Sequence, residues 1–183
     1  LEKSVNKRLR WSHYVKVCKL ARDNGAEVKA YILLKPPYLS EKEAIEDAVQ
    51  SAIDTAPHVD KISINPVNVQ KNTVIEKMWF RNEWTAPWLW SVIEVLKRCE
   101  DLPVRVYSDP TGGGTRRGAH NCHDCNNKIL EALKNHRLGL GNLMGLDCEC
   151  RLRWDFLTKQ SSLRRNGAEP HGYRSGFMGG RHF

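Results

Sequence analysis

The chain has 183 residues, a mass of 21.0 kDa, an apolar fraction of 40% and a net charge of +8. That length suits one domain, or one with a small appendage, and is short for a complete (β/α)8 barrel, which takes about 250 residues. The longest apolar run, Ala30 to Leu34, is too short for a membrane helix, and the opening LEKSVNKRLRW has no apolar h-region, so a globular cytoplasmic protein is expected.

The first 108 residues alternate helix and strand signals. Ser12 is placed to cap a helix whose apolar stripe is Tyr14, Val17, Cys18 and Ala21, and Asn24-Gly25 supplies a stop. Val28 to Leu34 is a near-continuous run of strand formers, as in a parallel strand covered on both faces, and Pro36-Pro37 ends it. Ser40 and Glu43 have capping-box spacing ahead of a helix with Ala44, Ile45, Ala48, Val49, Ala52 and Ile53 on one stripe. Lys61 to Ile64 reads as a second strand. Thr73 and Glu76 have the spacing of another capping box, and Pro87 suits the first position of a helix buried through Leu89, Val92, Ile93 and Leu96. Val104 to Tyr107 completes a strand–helix–strand–helix–strand order, which predicts an α/β fold with a parallel sheet.

Composition shifts near Asp109-Pro110. Twelve of the 13 glycines, four of the six cysteines and five of the seven histidines follow it, and residues 109–183 carry +5 of the +8. A Gly-, Cys- and Arg-rich segment over 109–160 and a basic, aperiodic tail over 161–183 are therefore expected after a unit spanning 1–108.

The sharpest chemical signal is Cys122-x-x-Cys125, then 22 residues, then Cys148-x-Cys150. Two tight pairs of thiolates can share one tetrahedral ion at about 2.3 Å, and zinc is the default for such a set. His120 and His123 are reserve ligands. An iron–sulfur cluster is the alternative metal, and paired disulfides or free thiols are the non-metal readings. Gly112-Gly113-Gly114 precedes Arg116 and Arg117. Open backbone N–H groups there, with two guanidiniums, predict contact with phosphate or RNA backbone, against a flexible basic linker. It is not a P-loop, because the Gly-Lys-Ser/Thr ending is missing. Arg151 and Arg153 extend the basic character past the cysteines, and Arg164, Arg165, Arg174 and Arg181 continue it. Trp79 to Trp90 holds four of the six tryptophans. Side chains at this spacing are expected in the core at Trp88 or Leu89, with Trp84 the exposed ring, while stacking on RNA bases is the functional alternative.

Several phrases together, KAYILLKPP (29–37), INPVNVQ (64–70), WTAPWLW (84–90), SDPTGGG (108–114), RGAHNC (117–122) and the Cys148-Glu-Cys150 pair, resemble the archaeal radical S-adenosylmethionine proteins of archaeosine biosynthesis, distant relatives of the Elongator catalytic subunit. The resemblance covers about residues 3–155. It implies tRNA as substrate, S-adenosylmethionine and a [4Fe–4S] cluster as cofactors, and radical cleavage of a lysine adduct on a 7-deazaguanine base at tRNA position 15. It also implies a partial (β/α)6 barrel, of which this chain would be the C-terminal half, followed by a small Cys-rich metal-binding segment. Lys35, Asn65 and Asn68, at the ends of two predicted strands, would then line the cofactor or substrate pocket. The family's CxxxCxxC motif occurs nowhere in these residues, and Cys18 and Cys99 stand alone. The chain is accordingly expected to be half of a longer protein, a split subunit or a degenerate paralogue. Its expected partners are the missing radical half or a tRNA-guanine transglycosylase-related protein; alternatively, it is a non-catalytic, zinc-stabilised RNA-binding module.

Overall fold

A computed structural model describes residues 9–160. The basic tail expected over 161–183 lies outside the described residues. Three strands, β1 (Lys29–Leu34), β2 (Lys61–Pro66) and β3 (Arg105–Ser108), form a parallel sheet in the order β1-β2-β3, with Lys29 opposite Lys61 and Lys61 opposite Arg105. The α/β class and the parallel sheet are as the sequence pattern predicts.

Each connection brings a helix onto one face of the sheet. α1 (Trp11–Asp23) precedes β1, α2 (Glu41–Thr55) joins β1 to β2, and α3 (Val74–Phe80) and α4 (Leu89–Arg98) join β2 to β3. α2 begins with the predicted capping box: Ser40 Oγ accepts from the Glu43 N–H, and Glu43 Oε2 accepts from the Ser40 N–H at 3.0 Å. Ala44, Ala48 and Ala52 are fully packed, so α2 sits close against β1 and α4. Ile53, expected on that stripe, is 44% exposed. α4 buries Leu89, Trp90, Val92, Ile93, Val95 and Leu96. Against these helices the sheet presents Ala30, Ile32, Leu34, Ile62, Ile64 and Val106.

Local details depart from the sequence reading where tertiary packing decides. α1 is capped by Arg10, whose carbonyl accepts from His13 and Tyr14, and Ser12 falls inside its first turn. Only Cys18 of its stripe is buried, and Val17 is exposed, because α1 packs chiefly on the single 3-10 turn Ala56–His58. Thr73 makes only half a box. Its Oγ1 accepts from the Glu76 N–H, but the Glu76 carboxylate turns to the Asn72 N–H and to Arg117. Pro87 stands outside α4, whose cap is Trp88. Trp84, expected to be exposed, is buried with Val67, Val69 and Ala86 in a small satellite core beneath the loop that follows β2.

β1 is covered on one face only. Its burial alternates strictly, and Tyr31 is 64% exposed. The continuous apolar run predicted two covered faces, but a tyrosine interrupts it at the outward position, and no helix lies over that side among the described residues.

The segment after Pro110 adds α5 (His123–Leu138), which packs on β3 and α4, and α6 (Cys150–Gln160), which packs on α2. Ile129 and Leu133 of α5 and Trp154 of α6 join the same core as the sheet and its helices. Two aliphatic side chains buried this fully contribute about 1.5–3 kcal/mol each. The compositional shift at Asp109-Pro110 is thus bridged by a continuous core. Gly139 ends α5 in the left-handed region at φ +73°.

Candidate metal centre and ligand cavity

The four paired cysteines converge. Cys122 is the extended N-cap residue of α5 and Cys125 lies in its first turn, so one turn of helix aligns the two thiols. Cys148 precedes α6 and Cys150 begins it. Cys122 Sγ lies 3.5 Å from Cys148 Sγ and 3.6 Å from Cys125 Sγ, Cys125 Sγ is 3.6 Å from Cys150 Sγ, and all four fall within 4.8 Å of one another. A tetrahedral ion with 2.3 Å bonds requires sulfurs about 3.8 Å apart. The quartet therefore suits one ion held in common. In a four-iron cluster each thiolate binds a different iron, which spreads the sulfurs farther apart than this.

The electrostatics agree. Burial works against ionisation of Cys122, but the Cys125 backbone N–H and the surrounding thiols outweigh it and bring its pKa down to about 7. Burial, reinforced by the Cys122 and Cys150 thiols, pushes Cys125 well up. Thiols packed this closely cannot all ionise unless a cation compensates them. Two helix N-termini point their N–H dipoles at the group, which favours thiolate. The Trp90 indole N–H donates to Cys150 Sγ at 3.2 Å. Asn121 links the site to α4 by accepting from the Trp90 backbone N–H at 3.2 Å. Of the reserve ligands, His120 is held by the Gly118 carbonyl at 2.8 Å and His123 is fully exposed.

A second site lies on the open face of the sheet. A cavity of about 650 Å³ runs from Lys29 and Tyr31 across Ser63 and Tyr107 to Asn65 and Asn68 at the strand ends. The ends of parallel strands are where such folds place ligands. Asn65 Oδ1 accepts from Ser63 Oγ at 3.0 Å, and Asn68 Nδ2 donates to the Thr111 carbonyl at 3.2 Å. Hydrogen bonds that the Lys29 ammonium donates to Tyr107 first and to Tyr31 next hold its pKa above the ordinary value.

Lys35, grouped with these asparagines by sequence position, is elsewhere. It adopts a left-handed φ of 63° and is buried, with its Nζ 2.6 Å from Glu41 Oε2 and 3.1 Å from Thr85 Oγ1. It is not among the residues that line the cavity. Glu41 Oε1 accepts from the Trp88 N–H at 2.8 Å and from Ser91 Oγ at 2.6 Å, and Ser91 Oγ accepts from the Trp154 indole at 2.8 Å. This buried chain ties the end of β1 to α6.

The glycine loop also differs from expectation. The N–H groups of Gly113, Gly114, Thr115 and Gly118 are spent on carbonyls of the same loop or of Ala119, so they form no open anion cradle. Its glycines serve close packing: a Cβ on Gly118 would collide with the Gly112 carbonyl. Arg117 donates to Glu76 Oε1 at 2.8 Å and to the Val69 carbonyl at 3.2 Å, whereas Arg116 is exposed. Arg151 lies 5.7 Å from the Trp90 ring centroid, and Arg153 is exposed on α6.

The chain has relatives among known proteins. No family model matches it. It is 40% identical over 157 residues to an archaeosine synthase subunit beta of Methanosarcina acetivorans, covering 82% of this chain and 45% of that protein. It is 39% identical over 165 residues to the archaeosine synthase subunit beta of Thermococcus kodakarensis, covering 87% and 51%. Over the matched stretch, the chain is a homologue of these proteins. It spans about half the length of these curated relatives. An archaeal Elp3 from Methanocaldococcus infernus, at 20% identity and a TM-score of 0.50, covers 73% of this chain and 32% of its own, which supports a related fold.

The lone strand signals and cysteine pairs were legible in the sequence. Trp90, Asn121 and the Glu41–Ser91–Trp154 chain were missed. Only Tyr31 left a trace of the open face, as the one polar-tipped side chain in an aliphatic run. No helix among the described residues is long and apolar enough to cross a membrane.

Proposed function

We propose that this chain is the C-terminal part of a radical S-adenosylmethionine enzyme of archaeosine formation, acting on tRNA by cleaving the lysine adduct at position 15. The observation that carries the reading is 39–40% identity over more than four-fifths of the chain to proteins named archaeosine synthase subunit beta. The open sheet face would then be half of the wall of a partial (β/α)6 barrel, and Asn65 and Asn68 would bind polar groups of cofactor or substrate at its mouth. Lys35 would act from beneath, by fixing the β1 end through Glu41.

Zinc is the ion proposed for Cys122, Cys125, Cys148 and Cys150. When bound, it supplies charge compensation and a four-point crosslink between the starts of α5 and α6. The [4Fe–4S] cluster does not fit this chain, because these 183 residues hold no CxxxCxxC and the other two cysteines, Cys18 and Cys99, are far apart in sequence and buried. Its ligands would come from outside these residues. Arg116, Arg117, Arg151 and Arg153 are the proposed contacts to tRNA phosphate, with Arg117 partly committed to Glu76. The designation of the relatives as a beta subunit supports a partner chain, for which a tRNA-guanine transglycosylase-related protein is proposed.

Disrupting the gene and digesting total tRNA to nucleosides tests the reading. Archaeosine should vanish and its lysine-bearing precursor should accumulate, as read by mass spectrometry. Unchanged archaeosine would refute it. A second reading, a metal-stabilised RNA-binding subunit beside a separate cluster-bearing chain, is supported by the four-cysteine group, which these residues complete on their own. It predicts that activity is restored only when both chains are mixed.

A further inference from the structure

Beside the cavity mouth lies a feature that the cofactor and substrate pocket does not use. The segment leading into α3 and the helix itself line the cavity rim through Gln70, Thr73 and Ile75. One helical turn beyond Ile75, about 6 Å along the axis, the same helix carries Trp79 and then Phe80. Their rings are tilted at 57° with centroids 5.1 Å apart, and Phe80 is 66% exposed.

A single exposed ring is ordinary. This one has a fixed cationic flank. Arg117 lies 5.0 Å from the Trp79 centroid and 5.9 Å from that of Phe80, and its hydrogen bonds to Glu76 and Val69 hold it there. Arg116 lies 6.0 Å from Trp79 and has no carboxylate partner among the described residues. Residues 71–83 with Arg116 and Arg117 carry five cations against two carboxylates. An exposed ring at Phe80, a guanidinium without a carboxylate partner at the adjoining Trp79 and a net positive surround match an unpaired nucleotide, which offers a base to stack and a phosphate to bind. An acidic protein segment would use the cations but leave Phe80 without a stacking partner.

We infer that Phe80, backed by Trp79, with Arg117 against both rings and Arg116 beside Trp79, is a stacking platform for an unpaired RNA base. The nucleotide it holds would be a neighbour of the one presented to the cavity, since only about one helical turn separates platform and rim. Holding a neighbour unstacked lowers the cost of extruding the target base. This inference rests on the RNA reading above and adds a residue and a role to it.

The test uses the metal-loaded 183-residue chain and an RNA hairpin with one 2-aminopurine in its loop. Binding should quench the probe. Phe80→Ala should weaken binding by about tenfold, abolish the quench and leave the salt slope unchanged, while Phe80→Trp restores both. Arg116→Ala should instead reduce the slope of log K against log salt by about 0.7. Thermal melting confirms that each variant is folded. If Arg116→Ala flattens the slope but Phe80→Ala changes neither affinity nor quench, RNA binding stands and the platform is wrong. If the wild-type chain binds the hairpin with no salt dependence, the RNA reading fails and takes the platform with it.

Discussion

The buried Lys35–Glu41 pair offers a sharp quantitative test of how the fold holds its parts together. Both side chains are under 10% exposed, and their charged atoms are 2.6 Å apart. Glu41 also accepts from the Trp88 N–H and the Ser91 hydroxyl, so one carboxylate satisfies three donors, one at the end of β1 and two at the start of α4. Glu41→Ala would strand the Lys35 ammonium in a dry site and leave two further donors unpaired. Removing one partner of a buried ion pair costs about 3–5 kcal/mol, because the remaining charge is uncompensated. For a chain of this size that lowers Tm by on the order of 10 °C. The double variant Lys35→Met/Glu41→Gln removes both charges but keeps an amide oxygen for Trp88 and Ser91, so it should cost about 1 kcal/mol or less. Urea unfolding of the metal-saturated protein measures Glu41→Ala directly, and Lys35→Met, Glu41→Gln and the double variant give the cycle. If Glu41→Ala costs less than about 1 kcal/mol, Lys35 escapes to solvent and the buried-pair account is refuted.

Metal analysis of anaerobically purified protein should give about one zinc per chain, and Cys148→Ser should lose it together with several kcal/mol of stability; a wild-type protein devoid of metal, or a variant that keeps it, would overturn the site. Burial first, with Arg105 next, lowers the His136 pKa in the folded protein. The unfolded chain therefore binds the proton more readily, so stability from this group is full above about pH 6.5 and declines as pH falls below it. His136→Asn should flatten the difference in urea midpoint between pH 7.5 and 5.5 relative to wild type, and an identical difference would show that His136 contributes nothing. Gly118→Ala should destabilise the loop by about 1–3 kcal/mol, since its methyl group meets the Gly112 carbonyl; a stability equal to wild type would contradict that close approach.

What the linear sequence determined is whatever depends on near neighbours. Ser40 and Glu43 specified a capping box because their partners lie three residues apart. The three strand segments were readable from runs of β-formers, and the two cysteine pairs marked a group of four thiols able to hold one ion, because each pair is confined to one turn. Tertiary structure decided everything that required knowing which face a residue would meet. Trp84 is buried because the loop after β2 folds over it, and Lys35 lies outside the cavity lining because Glu41, Thr85 and the Trp84 ring hold its ammonium. The Gly112–Gly114 loop closed on its own carbonyls, although the same glycines alone are compatible with an open anion cradle. The composition break at Asp109-Pro110 marks a real change in residue usage, yet Ile129, Leu133 and Trp154 cross it to complete the core. The physical reason is the same in each case: hydrogen-bonding partners and apolar neighbours distant in sequence outweigh local propensity once burial makes an unpaired polar group or an empty space costly.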